Sequence, residues 1–249
     1  MSKIVKLTAI FLIFLFPVDI FAQESANKVI KAEKLWKGSA EGGSTIVRGN
    51  THQESTYGKG NVEYKKDKLT NLFKTRLENT KTNKVRVKER YDLNNRLRHN
   101  YNKKDFALFE IEYVDDRYGG YDYRVSESLG YGRNFVDNEG FSVSGRTSIG
   151  SRQSKFIDGD REESLLVRIG GDLDWKIKEG VEFKQHIDIS FDQDTEITRS
   201  DTSVKIRMKS ISDSLYFTLS YFLERKSNVP SPEIKNTDST LMLMFGYDF

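Results

Sequence analysis

Leu241-Met242-Leu243-Met244-Phe245-Gly246-Tyr247-Asp248-Phe249 ends the chain, and this stretch decides the fold. Large apolar side chains occupy every second position of it, from Leu241 to Phe249. Because successive side chains of a β-strand point to opposite faces, these five share one face. An apolar face that finishes in aromatic rings is typical of a strand whose outside meets lipid. A soluble protein can also end on an apolar strand, so the rest of the chain has to separate the two interpretations.

The N-terminus has the pattern of a secretory signal peptide. Lys3 and Lys6 precede an apolar run over residues 7–16, and Ala22 offers a small residue for cleavage before Gln23. That run is too short to span a bilayer as an uncleaved anchor. We predict a signal peptide over residues 1–22, a polar lead-in over residues 23–34 and one large barrel domain over residues 35–249.

Composition excludes several classes of protein. No later segment has the roughly 18 consecutive apolar residues of a transmembrane helix, which excludes a helical membrane protein. The chain has no cysteine, which excludes disulfides, thiolate metal sites and a cysteine nucleophile. Its 40 basic and 37 acidic residues nearly balance, whereas a nucleic-acid partner needs a concentrated basic face. We therefore expect no nucleic-acid partner.

After residue 34 the sequence breaks into alternating runs separated by Gly, Asn, Asp or Lys clusters, and about twelve runs can be distinguished. The fourth run is the clearest, because its apolar and charged residues strictly alternate. Its apolar positions are Val85, Val87, Tyr91, Leu93 and Leu97, and its charged positions are Arg86, Lys88, Arg90, Asp92, Arg96 and Arg98. A period of two does not collect residues on one face of a helix. We predict an all-β fold, a transmembrane antiparallel up-and-down β-barrel of about twelve strands.

Connections and aromatic residues support a membrane barrel. Connections after even-numbered runs are mostly short, whereas residues 154–163, 192–202 and 227–238 predict long polar loops after odd-numbered runs. Outer-membrane barrels show this asymmetry and carry aromatic belts at both interfaces; we place Tyr121 and Tyr123 in one belt. Glu89 and Glu127 fall on the lipid-facing positions, which predicts strands that rise above the bilayer or a bulge. A soluble periplasmic barrel with its apolar face inwards, binding a lipophilic ligand, is the alternative.

Catalytic patterns are weak. The three histidines, His52, His99 and His186, are scattered without metal-ligand spacing, and no Gly-x-Ser-x-Gly motif is present. His186 is expected in the lumen near Glu182 and Asp188, where a polar filling role explains it. We predict no enzyme activity, no catalytic residue, no metal site and no cofactor, and keep an outer-membrane hydrolase as a distant alternative.

Opposite charges are expected to face each other in the lumen. The predicted charge rows are Arg86, Lys88, Arg90, Arg96 and Arg98 on the fourth strand and Glu110 and Glu112 on the fifth. Such rows suit a narrow pore that selects ions or small solutes, and they equally suit a salt-bridge network that fills a closed structural or ligand-binding barrel. Twelve strands do not decide between these alternatives.

Short motifs across the chain resemble a known family. The segments Trp36-Lys37-Gly38-Ser39-Ala40-Glu41-Gly42, Arg48-Gly49-Asn50-Thr51, Asp115-Asp116-Arg117 and Gly130-Tyr131-Gly132 carry the resemblance. They are similar to bacterial salt-induced outer-membrane proteins, a domain of unknown function. The resemblance implies an outer-membrane location in a Gram-negative bacterium and a link to salt or envelope stress.

Partners follow from this location. The chain end is similar to the closing strand of outer-membrane barrels, which implies that Phe245, Tyr247 and Phe249 form an assembly signal for the barrel-assembly machinery. Outer-membrane lipid is the second expected partner. Lipopolysaccharide is a third, with the loop residues Lys81, Lys84, Lys155 and Arg161 as candidate contacts to its phosphates; solvated surface charges are the simpler explanation of these residues. The oligomeric state stays open.

Overall fold

Twelve antiparallel strands close into one barrel in a computed structural model that describes residues 35–49, 52–193 and 195–249. The strands are β1 Trp36–Val47, β2 Gln53–Lys66, β3 Leu69–Thr82, β4 Val85–Asn100, β5 Asp105–Asp116, β6 Tyr121–Asp137, β7 Phe141–Phe156, β8 Arg161–Lys178, β9 Val181–Phe191, β10 Glu196–Arg207, β11 Leu215–Lys226 and β12 Thr237–Asp248. A short 3₁₀ turn, Arg117–Gly119, joins β5 to β6. The predicted fold and strand number are confirmed. The predicted signal peptide and lead-in lie outside the described residues.

Each strand pairs with its neighbours in sequence, and β12 closes the ring on β1 with Ser39 opposite Asp248. Both ends of the described chain therefore lie at one end of the barrel, which we call the termini end. The opposite end, where β1 joins β2, is called the loop end. No helix in the described part of the chain is long and apolar enough to cross a membrane.

Apolar side chains cover the outside of the barrel. Leu129 and Leu243 are each 65% exposed and Leu165 is 57% exposed, whereas Met242 and Met244, on the opposite face of β12, are 1% exposed. The closing strand therefore has the alternation that the sequence predicts. Exposing so much apolar surface to water is unfavourable, at about 25 cal/mol per Å². The outer surface is thus suited to lipid.

Two of the three predicted long loops are mostly strand, with short connections. Only four residues, 157–160, separate β7 from β8, and only residues 192–195 separate β9 from β10. Residues 227–236, between β11 and β12, do form a long connection. The strands on either side of the two short connections continue past the apolar part of the wall. Both of their faces are polar there, so the alternation that identifies a strand in the sequence is lost.

Irregularities in the ladders explain two misplaced side chains. A register shift between Tyr121 and Tyr123 turns Tyr121 inwards, where it is 6% exposed and lies 5.1 Å from the Phe156 ring, so its place in an outer aromatic belt was wrong. The second misplaced side chain is Arg86, which was predicted in the lumen but is 43% exposed. A register shift between Thr80 and Lys81 lies opposite it. Such bulges change the face to which a side chain points, and the sequence pattern does not reveal them.

Candidate functional site

The barrel interior contains a cavity of about 1160 Å³ that opens at the termini end. Side chains from the turns and strand ends there, including Asp213 and Asp137, form its mouth. At its inner end lie Arg76 and Phe222, near the middle of their strands, and Arg199, nearer the loop end of β10. The cavity therefore reaches from the mouth to about half-way along the barrel.

Charged side chains line this cavity in equal numbers, thirteen acidic and thirteen basic. Many of them pair within the wall: Lys59 Nζ lies 2.8 Å from an Asp201 oxygen, and Lys205 Nζ lies 2.7 Å from an Asp248 oxygen. Because neither sign dominates, the cavity does not concentrate ions of one sign.

A chain of ion pairs crosses the barrel at the inner end of the cavity, and we call it the central network. Its members are Arg90 and Arg96 on β4, Glu110 and Glu112 on β5, Arg168 on β8, Arg199 on β10 and Glu224 on β11. The longest connections join strands on opposite sides of the ring, β4 to β11 and β10 to β5. The network therefore obstructs the lumen.

Each carboxylate of the central network accepts bonds from two guanidinium groups. Glu224 accepts from Arg90 at 2.8 Å and from Arg199 at 2.6 Å. Glu112 accepts from Arg168 at 2.8 Å and also from Arg199. Burying a charge is costly unless it is paired and hydrogen-bonded. These shared pairings satisfy that condition, so the network stays charged inside the barrel.

Side chains fill the barrel between the central network and the loop end. Arg152 Nη1 lies 2.6 Å from an Asp192 oxygen, while Leu166 and Ile197 are at most 1% exposed. Arg124 is 3% exposed and lies 4.3 Å from the Tyr121 ring centre. These buried side chains fill much of the loop-end half of the lumen.

The long connection between β11 and β12 covers the loop end. Gly120, at the tip of the β5–β6 hairpin, has a φ of 90°, and a Cβ placed there would lie 2.9 Å from Pro230 Cγ and 3.0 Å from Ile234 Cδ1. Because β5 and β6 stand across the ring from β11 and β12, the 227–236 connection reaches across the loop end of the barrel. This contact requires glycine, both for its positive φ and for its missing side chain.

The predicted charge rows do not stay together. Arg96, Arg98, Glu110 and Glu112 line the cavity, and Arg98 stacks 3.6 Å from the Phe106 ring centre. Arg90 belongs to the central network, and Lys88 lies 3.1 Å from Glu78 inside the barrel. Arg86 instead pairs with Glu89 at 2.7 Å, and its side chain is 43% exposed.

The Arg86–Glu89 pair explains how one of the two carboxylates on lipid-facing positions, Glu89, is neutralised. Glu89 accepts bonds from both Arg86 and the Tyr91 hydroxyl close to the loop end, where β4 begins. Glu127, on β6, lies 3.5 Å from the Ser151 hydroxyl. Both carboxylates thus have polar partners in the loop-end half of the wall.

The three histidines lie apart. His186 Nδ1 is 2.6 Å from Asp172, which also pairs with Arg146 at 2.5 Å. His52 pairs with Glu54, and His99 contacts the Tyr101 ring. Within the described residues no group of three acidic, His or Cys side chains is placed to hold a metal ion.

Glu224, Arg199 and Arg168 are the network members that the predicted rows omit. Each occupies an inward-facing position of its strand, so alternation alone would place it in the lumen. The residues with which they form ion pairs could not be predicted from the sequence, because Arg90 and Glu224, for example, are 134 positions apart. Only the closed ring brings them together.

Comparisons with known proteins give one family. The family model described as "Protein of unknown function, DUF481" matches residues 40–249. The chain is 24% identical over 216 residues to the "Uncharacterized protein YdiY" of Escherichia coli strain K12, covering 87% of this chain and 84% of that protein.

Solved structures with similar folds are outer-membrane barrels. The NanC porin has a TM-score of 0.49 at 9% identity and covers 85% of this chain and 96% of its own. An outer-membrane channel from Pseudomonas putida F1 has a TM-score of 0.49 at 12% identity and covers 94% of this chain and 100% of its own.

Proposed function

Since this chain belongs to the DUF481 family of proteins of unknown function, as its resemblance predicted, we propose that it is a closed barrel of the Gram-negative outer membrane. Both termini then face the periplasm, and the cavity opens there. The exposed apolar side chains on the outer faces of most strands, such as Leu165 and Leu243, support this location.

Within that membrane, the barrel binds a small polar solute from the periplasm and does not conduct. The observation that carries this proposal is the Arg90–Glu224 pair, which joins opposite walls while both side chains are at most 2% exposed. The balanced walls of the cavity favour a zwitterionic solute, which can meet a carboxylate and a cation together.

A gated narrow pore is the second candidate. The cavity already extends from the termini end to the central network, so opening requires only a rearrangement of side chains and of the 227–236 connection. The same ion pairs would then line the path and set its selectivity. Ion pairs can be exchanged for water more readily than a packed apolar core, which is what favours this candidate over a permanently filled barrel.

Binding, and not catalysis, is the proposed mode of action. His186 bonds to Asp172 and Arg146, and among the described residues no Ser or Thr hydroxyl bonds to a histidine ring. A hydrolase would need a nucleophile beside its base. The lumen histidine is thus best explained as part of the charged wall.

Three further assignments stay proposals. The link to salt or envelope stress rests on the family resemblance. Lipopolysaccharide contact would use Lys81, Lys84 and Arg161, which lie towards the loop end; Lys155 there pairs with Asp122 at 2.5 Å. Recognition by the barrel-assembly machinery would use the exposed Phe245, Tyr247 and Phe249.

Planar-bilayer recording tests the closed state. We expect no steady current from the folded protein, because the central network and the buried side chains of the loop-end half obstruct the lumen. A heat-dependent shift on a denaturing gel confirms that each sample is a folded barrel. Steady current from the unchanged protein would overturn closure and favour the gated pore. Solubility without detergent, together with no heat shift, would overturn the membrane location.

A further inference from the structure

The barrel wall is incomplete where its first and last strands meet. Every other pair of neighbouring strands is joined over at least eleven residue pairs, but β1 and β12 pair only from Ser39–Asp248 to Gly42–Phe245. Beyond Gly42, no ladder among the described residues joins residues 43–47 to residues 237–244. The unpaired part of this seam is about 15 Å long at roughly 3.3 Å per residue and lies in the loop-end half.

Exposure along β1 agrees with this gap. Thr45 and Val47 occupy positions that point towards the interior, yet both are exposed, Val47 at 48%. At Gly43 the two strands still touch, since a Cβ there would lie 2.4 Å from the Leu243 carbonyl oxygen. The strands therefore separate just above Gly43. An unpaired strand edge is costly inside a bilayer, so the seam is the weakest part of the wall.

Behind the gap lies the one apolar cluster identified among the described buried side chains, formed by Phe222, Met242 and Met244 with Tyr57 packed against it. Phe222 also lines the inner end of the periplasmic cavity. The cluster thus connects the seam to the cavity. Methionine side chains are flexible and adapt to irregular apolar ligands.

Beside this cluster, Arg76 Nε and Thr218 Oγ1 are buried without a hydrogen-bond partner in the described structure. The Arg76 guanidinium also pairs with Asp92, with Nη2 2.9 Å from a carboxylate oxygen, so Nε is the side of the group left for a further acceptor. The Arg76 and Thr218 side chains line the cavity and are at least 92% buried, with exposures of 8% and 4%. The Arg76 guanidinium lies 3.4 Å from the Phe222 ring centre, and Thr218 is opposite Met244 in the ladder. Buried donors of this kind need an acceptor. A ligand group that supplied this acceptor would also contact the apolar cluster beside it.

We propose that this seam admits a single-chain amphiphile with an acidic head group. Its carboxylate or phosphate oxygens accept bonds from Arg76 Nε and Thr218 Oγ1. Its alkyl chain lies on Tyr57, Phe222, Met242 and Met244 and leaves through the gap into the outer leaflet. The inference rests on the proposed membrane location, but it does not depend on which solute enters the periplasmic cavity.

Tryptophan quenching in lipid nanodiscs tests this site with 9,10-dibromostearate as the probe. The reporter is Tyr57→Trp in a chain whose two natural tryptophans, Trp36 and Trp175, are phenylalanine. The control reporter is Leu219→Trp on the lipid-facing side of β11. We expect saturable quenching of the Tyr57→Trp reporter and gradual, non-saturable quenching of the control. Equal, non-saturable quenching of both would overturn the proposal.

Two variants locate the head group and the entry. Thr218→Val together with Arg76→Gln should weaken binding at the Tyr57→Trp reporter by about tenfold, as expected when a charge-assisted bond is lost; unchanged affinity would overturn the head-group site. Ser44→Cys with Leu243→Cys, which continue the seam register, should slow quenching by about tenfold when oxidised, because a disulfide holds the strands together. Equal rates in the oxidised and reduced forms would overturn entry through the seam.

Controls separate this proposal from the others. A heat shift and absent bilayer current support the closed barrel whatever the quenching shows. Loss of both the heat shift and membrane insertion would instead remove the closed barrel itself. Disulfide-linked dimers from Leu243→Cys alone would assign the strand edge to a second copy of the chain and overturn the amphiphile site.

Discussion

Arg90 on β4 and Glu224 on β11 form a two-point ion pair across the barrel, with Nη1 3.0 Å from Oε1 and Nη2 2.8 Å from Oε2. Their side chains are 2% and 1% exposed. Two parallel bonds of this kind fix the mutual orientation of the two groups as well as their distance. The pair therefore fixes the position of β4 relative to β11 on the opposite wall of the barrel.

Removing both partners should cost less than the sum of the two single removals. Glu224→Gln leaves Arg90 and Arg199 with less countercharge in a buried site and should lower the free energy of unfolding by about 3–5 kcal/mol. Arg90→Met with Glu224→Met should cost clearly less than the sum of the single changes. Urea-dependent unfolding in lipid vesicles measures both.

The control for this comparison is an ion pair near the mouth. Lys184 and Asp174 lie 2.9 Å apart with side chains 55% and 50% exposed. Lys184→Met should therefore change stability by less than about 1 kcal/mol. A Glu224→Gln effect as small as this would show that the central network does not stabilise the barrel.

Alternation along the chain predicts the strands, their number and the direction of most side chains, because a wall with lipid on one side repeats every two residues. It fails at Tyr121, where a register shift reverses the side chain. It also fails at the ends of β8 and β10, where both faces are polar. The central network was beyond prediction, since it depends on which strands stand opposite each other in the closed ring.

Gly246 should not tolerate a side chain. A Cβ there would lie 2.4 Å from the ring of Tyr216, which is fully buried between Lys205, 3.6 Å from the ring centre, and Glu41, 3.1 Å from its hydroxyl. Gly246→Ala should lower the free energy of unfolding by about 1–3 kcal/mol, because the ring has to move. Tyr216→Leu in the same chain should recover part of this loss.

The matched control is Gly140→Ala in the β6–β7 turn, where nothing lies within 4 Å of the added carbon. Both variants can be compared by urea-dependent unfolding. Equal stability of Gly246→Ala and Gly140→Ala would contradict the close contact with Tyr216.

The stability cost of a charge on the outer face of the closing strand should show whether that face contacts hydrocarbon. Leu243 is 65% exposed in the outward row of β12, so Leu243→Arg should cost about 2–4 kcal/mol if this row meets hydrocarbon. Ile211 is 70% exposed but lies in the turn between β10 and β11, so Ile211→Arg should be nearly neutral. Unfolding from lipid vesicles measures the difference. Similar costs at the two positions would place Leu243 outside the bilayer.

The last residue should matter for closure as well as for recognition. Phe249 N donates to the Gly38 carbonyl at 2.9 Å, and Gly38 N donates to the Phe249 carbonyl at 3.1 Å, so Phe249 extends a seam that is already short. Deleting Phe249 should slow the appearance of heat-modifiable barrel in isolated outer membranes. Phe217→Ala, which removes a ring near Phe245 but leaves the seam bonded, should have a smaller effect. The proposed assembly signal fails if the deletion assembles at the unchanged rate.

Thiol labelling should show which end of the lumen is open. The chain has no cysteine, so a single introduced one reports its own surroundings. Ser203 lines the cavity on β10, whereas Ser164 is 5% exposed on β8 in the loop-end half. A membrane-impermeant maleimide should label Ser203→Cys only after the outer membrane is permeabilised, because the cavity opens to the periplasm. Ser164→Cys should stay unlabelled from both sides until the protein is unfolded. Rapid labelling of Ser164→Cys in intact cells would mean that the 227–236 connection and the side chains beneath it leave the loop end open to water.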